Sequence, residues 1–156
     1  MKHIGIYPVF DKRFPGRFLA ETGAVLLDMT TTLEELAAAR GIRTFESFHA
    51  YAHVELPPDF AGDPHDIWLQ HDAQWHDPAS CIPTVETLMG AVLCERPVVE
   101  KHSVQRVVEA LEELRLALVA AAQAGARFNF QVFDRPEGDG MTKVIVWGGG
   151  KNEEGV

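Results

Sequence analysis

The stretch PHDIWLQHDAQWHDPASC, residues 64–81, carries the dipeptide His-Asp three times: His65-Asp66, His71-Asp72 and His76-Asp77. Five of the chain's seven histidines fall between His49 and His76. Imidazole and carboxylate together are the ligands of zinc-type centres and the donors and acceptors of acid–base catalysis. His49 and His53 stand at i and i+4 in FHAYAH, which on a helical turn is one face and a real ligand spacing. His65, His71 or His76, with Asp66 or Asp72, could complete such a site from the loop. One reading is therefore a small metal-dependent hydrolase built on segment 49–77, with His49, His53, His71 and His76 as ligands. Against it, HAYAH lacks the Glu that follows the first His in zinc proteases.

Two other readings of the same stretch need no metal. In the first, Trp68 and Trp75 pack the loop onto the domain, Asp77 caps the helix that follows, and the His-Asp pairs face water. In the second the loop is a docking surface, because aromatic residues set among acids match the anchors of protein interfaces. The residues that would then meet a protein partner are Asp63, Asp66, Trp68, Asp72 and Trp75.

Elsewhere little chemistry is legible. Cys81 falls just after the Asp77 cap, where a helix dipole lowers a thiol pKa, and His76 is close in sequence. A buried Cys is ordinarily a small hydrophobe, however, and no oxyanion-hole glycine motif accompanies this one. GGGK near the end lacks the spacing and the Ser/Thr of a phosphate loop, and no GxSxG, GxGxxG or CxxC occurs. Glu34-Glu35 and Glu112-Glu113 read as helix-surface charges. The sequence thus names no catalytic residue and no cofactor.

Charge narrows the partners. With 14 Lys+Arg against 23 Asp+Glu the net charge is −9, which opposes phosphate-backbone contacts and suits a basic protein partner instead. Nucleic acid and membrane are not expected partners, since no run approaches the ~18 apolar residues of a bilayer span. MKHIGIYPVFDKRF has no cleavage-site pattern, so the expected location is cytoplasmic. Cys81 and Cys94 would lie about 20 Å apart on one helix, too far for a disulfide.

The elements that must position these residues form an expected α+β domain over 1–148, with a disordered tail at 149–156. HIGIYPVF reads as a strand with Ile4, Ile6 and Val9 inward, confined to an edge or bend by Pro8. Gly23–Met29, GAVLLDM, reads as a short buried strand. Thr31-Thr32-Leu33-Glu34 has the form of a capping box, opening a helix with Leu33, Leu36 and Ala37 inward and Gly41 as its stop. A second short turn places Phe45 and Phe48 in the core. From Val54 to Trp75 no period holds, and so long an irregular segment within a compact domain is often functional. Asp77-Pro78 then starts a helix with the stripe Val85, Leu88, Met89, Val92 and Leu93, with a kink or restart at Pro83. Ser103 caps the longest helix, striped by Val104, Val107, Val108, Leu111, Leu114, Leu118 and Ala122 and ended by Gly125. Its opposite face is Glu109, Glu112, Glu113 and Arg115. RFNFQVF alternates as a strand, and the loop DRPEGDG joins it to a second, MTKVIVW, as a hairpin. The expectation is about four mainly antiparallel strands, two long helices on one face and a short N-terminal helical pair.

LEELAAARGIRTFESF, QWHDPASCIPTVETLMGAVL and a helix ending in AAQAGARFNFQV, in this order, resemble a pattern in small uncharacterised bacterial proteins, some of the immunity type that neutralise a toxin. The resemblance spans about two-thirds of the chain, and Pro83 departs from it by interrupting the run after the Asp-Pro cap. It implies a non-enzymatic inhibitor of a partner protein, such as a basic toxin domain, and carries no catalytic residue. The alternatives are the metal-dependent hydrolase and a structural interaction module.

Overall fold

Two nine-residue strands from opposite ends of the chain pair across it. In the computed structural model, which describes residues 2–97 and 101–136, β1 (Lys2–Phe10) lies antiparallel to β2 (Phe128–Pro136), with Phe10 opposite Phe128 and Gly5 opposite Phe133. The N–H and C=O of Phe128 both bond to His76, so they point away from β1, and Phe128–Phe10 is a non-hydrogen-bonded pair. Pro8 lies two residues along from Phe10, opposite Phe130, and occupies the same kind of pair. Its missing N–H therefore falls outside the ladder, as expected of an edge position.

Both faces of this ribbon are covered. On one, Gly5 and Tyr7 meet helix α1 (Ala20–Asp28). A Cβ on Gly5 would stand 2.4 Å from the Gly23 carbonyl carbon, and one on Gly23 would stand 2.2 Å from the Tyr7 ring. Strand and helix touch backbone to backbone only because both residues are glycine. The Tyr7 hydroxyl donates to the Ala20 carbonyl at 2.7 Å. On the other face Phe10 and Phe128 meet Phe14 and Phe48, and Phe130 meets Phe45. The expected inward set of Ile4, Ile6 and Val9 is corrected accordingly. Ile6 and Val9 are buried on opposite faces, while Ile4 is 61% exposed beyond the cover.

Gly23–Met29 is not a strand: it lies in α1 and its C-cap. Leu19, the N-cap residue, has no side-chain cap of its own. The cap comes from α5 (Val104–Ala124), where the Glu113 carboxylate accepts from the Leu19 N–H at 2.5 Å and the Thr22 hydroxyl at 3.1 Å. Glu113 is therefore no member of a plain solvated face. Helix α2 (Thr30–Ala39) follows at once, and the expected capping box does not form. Glu34 reaches forward instead, accepting from the N–H groups of Phe45 (2.9 Å) and Glu46 (3.0 Å), and so caps the 3₁₀ turn Phe45–Phe48. Gly41 ends α2 as expected: at φ 67° it lets its own N–H reach Ala38 and the Ile42 N–H reach Ala37, the two bonds of a Schellman ending.

After a one-turn helix, α3 (Pro64–Trp68), the long helix α4 (Pro78–Glu95) starts on the expected signal, with Asp77 accepting from the Ala79 N–H at 3.0 Å. It runs through Pro83 rather than restarting there. Ser103 caps α5 by accepting from the Arg106 N–H, and Gly125 at φ 74° closes it. Leu111, Leu114 and Leu118 are fully buried, but Ala121 rather than Ala122 ends the inward stripe. The two long helices pack together, α5 against α1 and α4 against α2, and α1 is the helix laid along β1.

The architecture is α+β, with five helices and a two-stranded antiparallel sheet among the described residues rather than about four strands. Of the expected strands, Gly23–Met29 is helical and MTKVIVW (141–147) lies outside the described residues, as does the tail 149–156. The first three residues of DRPEGDG, the expected loop, are the end of β2. No helix among the described residues is long and apolar enough to cross a membrane.

Candidate functional site

The His-rich segment is fastened along the edge of β2 that β1 leaves open. The Ala50 N–H donates to the Phe130 carbonyl at 3.0 Å, and His76 exchanges both backbone bonds with Phe128, at 2.7 and 2.9 Å. Gln74 N–H donates to the Ala50 carbonyl at 2.7 Å, which ties departing and returning chain together. The fully buried Asn129 donates from Nδ2 to the Gln74 carbonyl at 2.9 Å and accepts from Gln131. Residues 51–73 thus form a loop closed at its base by backbone bonds, and buried amide groups find partners there as they must.

Above the base the loop is held by stacked rings. Trp68, half-buried on α3, lies over Tyr51 at 5.3 Å with the planes only 6° apart, and His49 meets Trp68 at 5.1 Å. The His49 Nδ1 accepts from the Tyr51 N–H at 3.1 Å. Just beyond this stack Leu69 is 68% exposed. In the same segment Glu55, Asp59, Asp63, Asp66 and Asp72 are all exposed, and no Lys or Arg occurs anywhere from residue 44 to residue 95. The exposed side chains of the loop are therefore largely acidic, and Leu69 is its one exposed large apolar residue. Trp75, at the base, is half-buried.

The three His-Asp dipeptides have different fates. His65-Asp66 belongs to α3 and His71-Asp72 is exposed. In the third, Asp77 caps α4 while His76 turns between Phe48 and Phe128, with ring centroids 5.4 and 6.1 Å away. The His76 Nε2 is buried without a hydrogen-bond partner, and its ring bonds to the His49 backbone. Burial holds both imidazoles below their ordinary pKa. For His76 the bond to the His49 backbone opposes burial, while Arg43 and His53 add to it; for His49 the opposing influence is Glu46.

This geometry removes the premise of the metal reading. The 3₁₀ turn ends at Phe48, His49 is extended at ψ 150°, and His53 lies in an exposed turn, so the two histidines share no helical face. Among the described residues no three His, Cys, Asp or Glu side chains are grouped to hold a metal ion. Cys81 fares no better as a nucleophile. It is fully buried, and burial pushes its thiol far upward, outweighing the opposite pull of Arg43.

A second concavity, of about 740 Å³, runs between residues 16–21 and the outer face of α5, floored by Leu19, Met89 and Val108. Of the four carboxylates that line it, Glu113 caps α1, Glu112 holds Arg115 through two bonds of 2.8 Å, and Glu109 accepts from the Gln105 amide at 3.3 Å.

The sequence pointed to the loop but not to its fastening. Nothing local marks Asn129, Tyr51 or the Ala50–Gln74 contact, because each acts across the chain. No family model, curated protein or solved structure matches this chain, so the reading of the site rests on its own chemistry.

Proposed function

We propose that this is a non-enzymatic binding protein that docks on a basic protein partner through the loop between Ala50 and Gln74. The observation that carries the reading is the loop's composition: exposed carboxylates and an exposed Leu69 in one segment, with no Lys or Arg from residue 44 to residue 95. Acid without base attracts a cationic surface and speeds its approach, and an apolar side chain at the centre of a charged rim is the usual source of residence time. The ring cluster of His49, Tyr51 and Trp68 supports this by holding the chain beside Leu69 in one conformation before contact, which lowers the ordering cost of binding. An immunity or inhibitor protein acting on a basic toxin domain fits this profile.

The test is affinity capture with the immobilised full chain, scored against Leu69→Ser as the control. A basic protein retained by the native chain, released by salt and lost with Leu69→Ser, supports the reading. Capture that is equal on both chains overturns it.

A further inference from the structure

We propose that the loop is gated by pH: neutral His49 and His76 fasten it to β2, and acidification releases it. The inference concerns regulation of the docking surface proposed above, but the release itself requires no partner.

The two rings hold the fastening in complementary ways, and both need to be uncharged. His49 Nδ1 is a hydrogen-bond acceptor for the Tyr51 N–H. An acceptor nitrogen carries a bare lone pair, so the ring is the neutral tautomer with its proton on Nε2. A proton added to Nδ1 would set N–H against N–H, breaking the bond that turns the chain from the base of the loop into its aromatic stack. His76 is the converse. Its Nε2 is the buried atom without a partner, and the His49 backbone is the group that favours its charged form against burial. A lone pair enclosed by Phe48 and Phe128 is tolerable, whereas an N–H⁺ there has nothing to donate to.

The surrounding charges decide whether protonation could be absorbed in place. Around His76, Arg43 precedes the 3₁₀ turn with its guanidinium 3.9 Å above the Phe48 ring, and His53 follows the turn; both disfavour a further positive charge. The 3₁₀ turn and β2 present the rings of Phe48 and Phe128 to it, and the His49 backbone favours its charged form but is outweighed by burial. Asp77, the next residue, directs its carboxylate to the Ala79 N–H of α4. Around His49, Glu46 favours the cation, and the faces of Tyr51 and Trp68 would as well. Burial and the lost acceptor act against them, and burial is the larger influence. Relief for both rings comes from opening. His76 leaves its cage by giving up the paired backbone bonds to Phe128, and Gln74 leaves Ala50 with it.

The sign follows from these lowered values. An imidazole in the open loop takes up its proton near 6.5, whereas in the closed loop it does so only at lower pH. The closed form is fully favoured above 6.5. It weakens as pH falls from there toward the lowered values, and below them it changes no further.

The experiment is amide hydrogen exchange followed by NMR on the full chain, from about pH 7.5 to about pH 5, with the histidine ring signals titrated in the same samples. Protection factors at Gln74 and His76 should fall together, by about tenfold for each unit of lowering in a ring. Those at Leu88 and Leu111 in the long helices should hold. A variant with His49→Asn and His76→Phe should stay closed at about pH 5. Asn offers its side-chain oxygen to the N–H two residues on without titrating, and Phe fills the cage. The His49 carbonyl keeps the Ala52 N–H as its partner in that variant. Protection that persists while both wild-type rings titrate would overturn the gate, as would a folded variant that opens at the wild-type pH. The wild-type arm decides alone if the variant does not fold. A gate that works on a loop that captures no partner would leave this inference standing and the docking function refuted.

Discussion

The α4–α5 pair and the loop at 51–73 are neighbours built on opposite terms. In the helix pair the signals are local and the stabilisation is burial: Asp77, Ser103 and Gly125 mark the ends, and Val85, Leu88, Leu111, Leu114 and Leu118 vanish from solvent. In the loop no period holds, most carboxylates and Leu69 are exposed, and the fastening is a handful of backbone bonds to β2, with Trp68 stacked on Tyr51 and His49 tilted against both. Stability and recognition are thereby separated in space. The helices can tolerate no loss of volume, while the loop can vary its surface charges at little cost to the fold.

The sharpest way to break that contrast is to remove volume from the helix pair. Leu111→Ala should destabilise the protein by about 2–5 kcal/mol, because a fully buried leucine leaves a cavity that its neighbours fill only in part. The midpoint of chemical denaturation should fall with its slope unchanged. A midpoint that does not move would show that α5 is packed on a different face. Next in size is the long-range cap. Glu113→Ala should cost about 1–2 kcal/mol, the loss expected when a helix N-terminus is left uncapped, and Glu113→Gln should cost less because one acceptor remains. Equal effects for Ala and Gln would mean that the carboxylate's charge, not its geometry, is what α1 needs.

That cap also explains what was legible in the sequence. Signals within a turn of their target were sound: Asp77-Pro78, Ser103, Gly41 and Gly125 all act on the residues beside them, and Phe45 and Phe48 are buried as their spacing implied. Signals that act across the chain were not. Gly23–Met29 is a short apolar run, equally suited to a strand or a buried helix, and the facts that decide it are distant: Glu113 at its start and Gly5 beneath it. The capping-box pattern at Thr31–Glu34 misled because Glu34 had a better use, the two free N–H groups of the 3₁₀ turn. The loop followed the same division. Its irregularity and its acid were readable, but its closure depends on Asn129 and Phe128, more than fifty positions away from Gln74 and His76. The helical pairing of His49 with His53 failed because the turn ends at Phe48, before either histidine.

On the loop side the largest effect belongs to Trp68. Its ring is half-buried and stacked on Tyr51, so Trp68→Ala should cost about 0.5–1.5 kcal/mol of stacking together with some apolar area, well below the Leu111 effect. The loss should be local. Exchange at Tyr51 and Gln74 should speed up while the amides of α5 stay protected, and a uniform loss would show that the loop is part of the same cooperative unit as the helices.

The smallest expected effect on the fold is the most telling for the function. Asp66 and Asp72 are exposed, and changing both to Asn should shift stability by no more than about 0.5 kcal/mol, the ordinary range for surface substitutions. On a basic partner the same pair should matter through the rate of arrival. Two carboxylates on the rim of the docking surface add to the field that draws a cation in, so their removal should slow association and flatten its dependence on salt. Dissociation should change little, because that rate is governed by the central contact, here Leu69. Stopped-flow association at several ionic strengths separates these outcomes. If the doubly substituted chain associates as fast as the native one at low salt, the loop's acid is only a solvated surface and its likeness to a docking rim carries no function. If instead dissociation quickens, Asp66 or Asp72 is a buried partner in the complex rather than a rim charge, and the centre of the interface does not lie at Leu69.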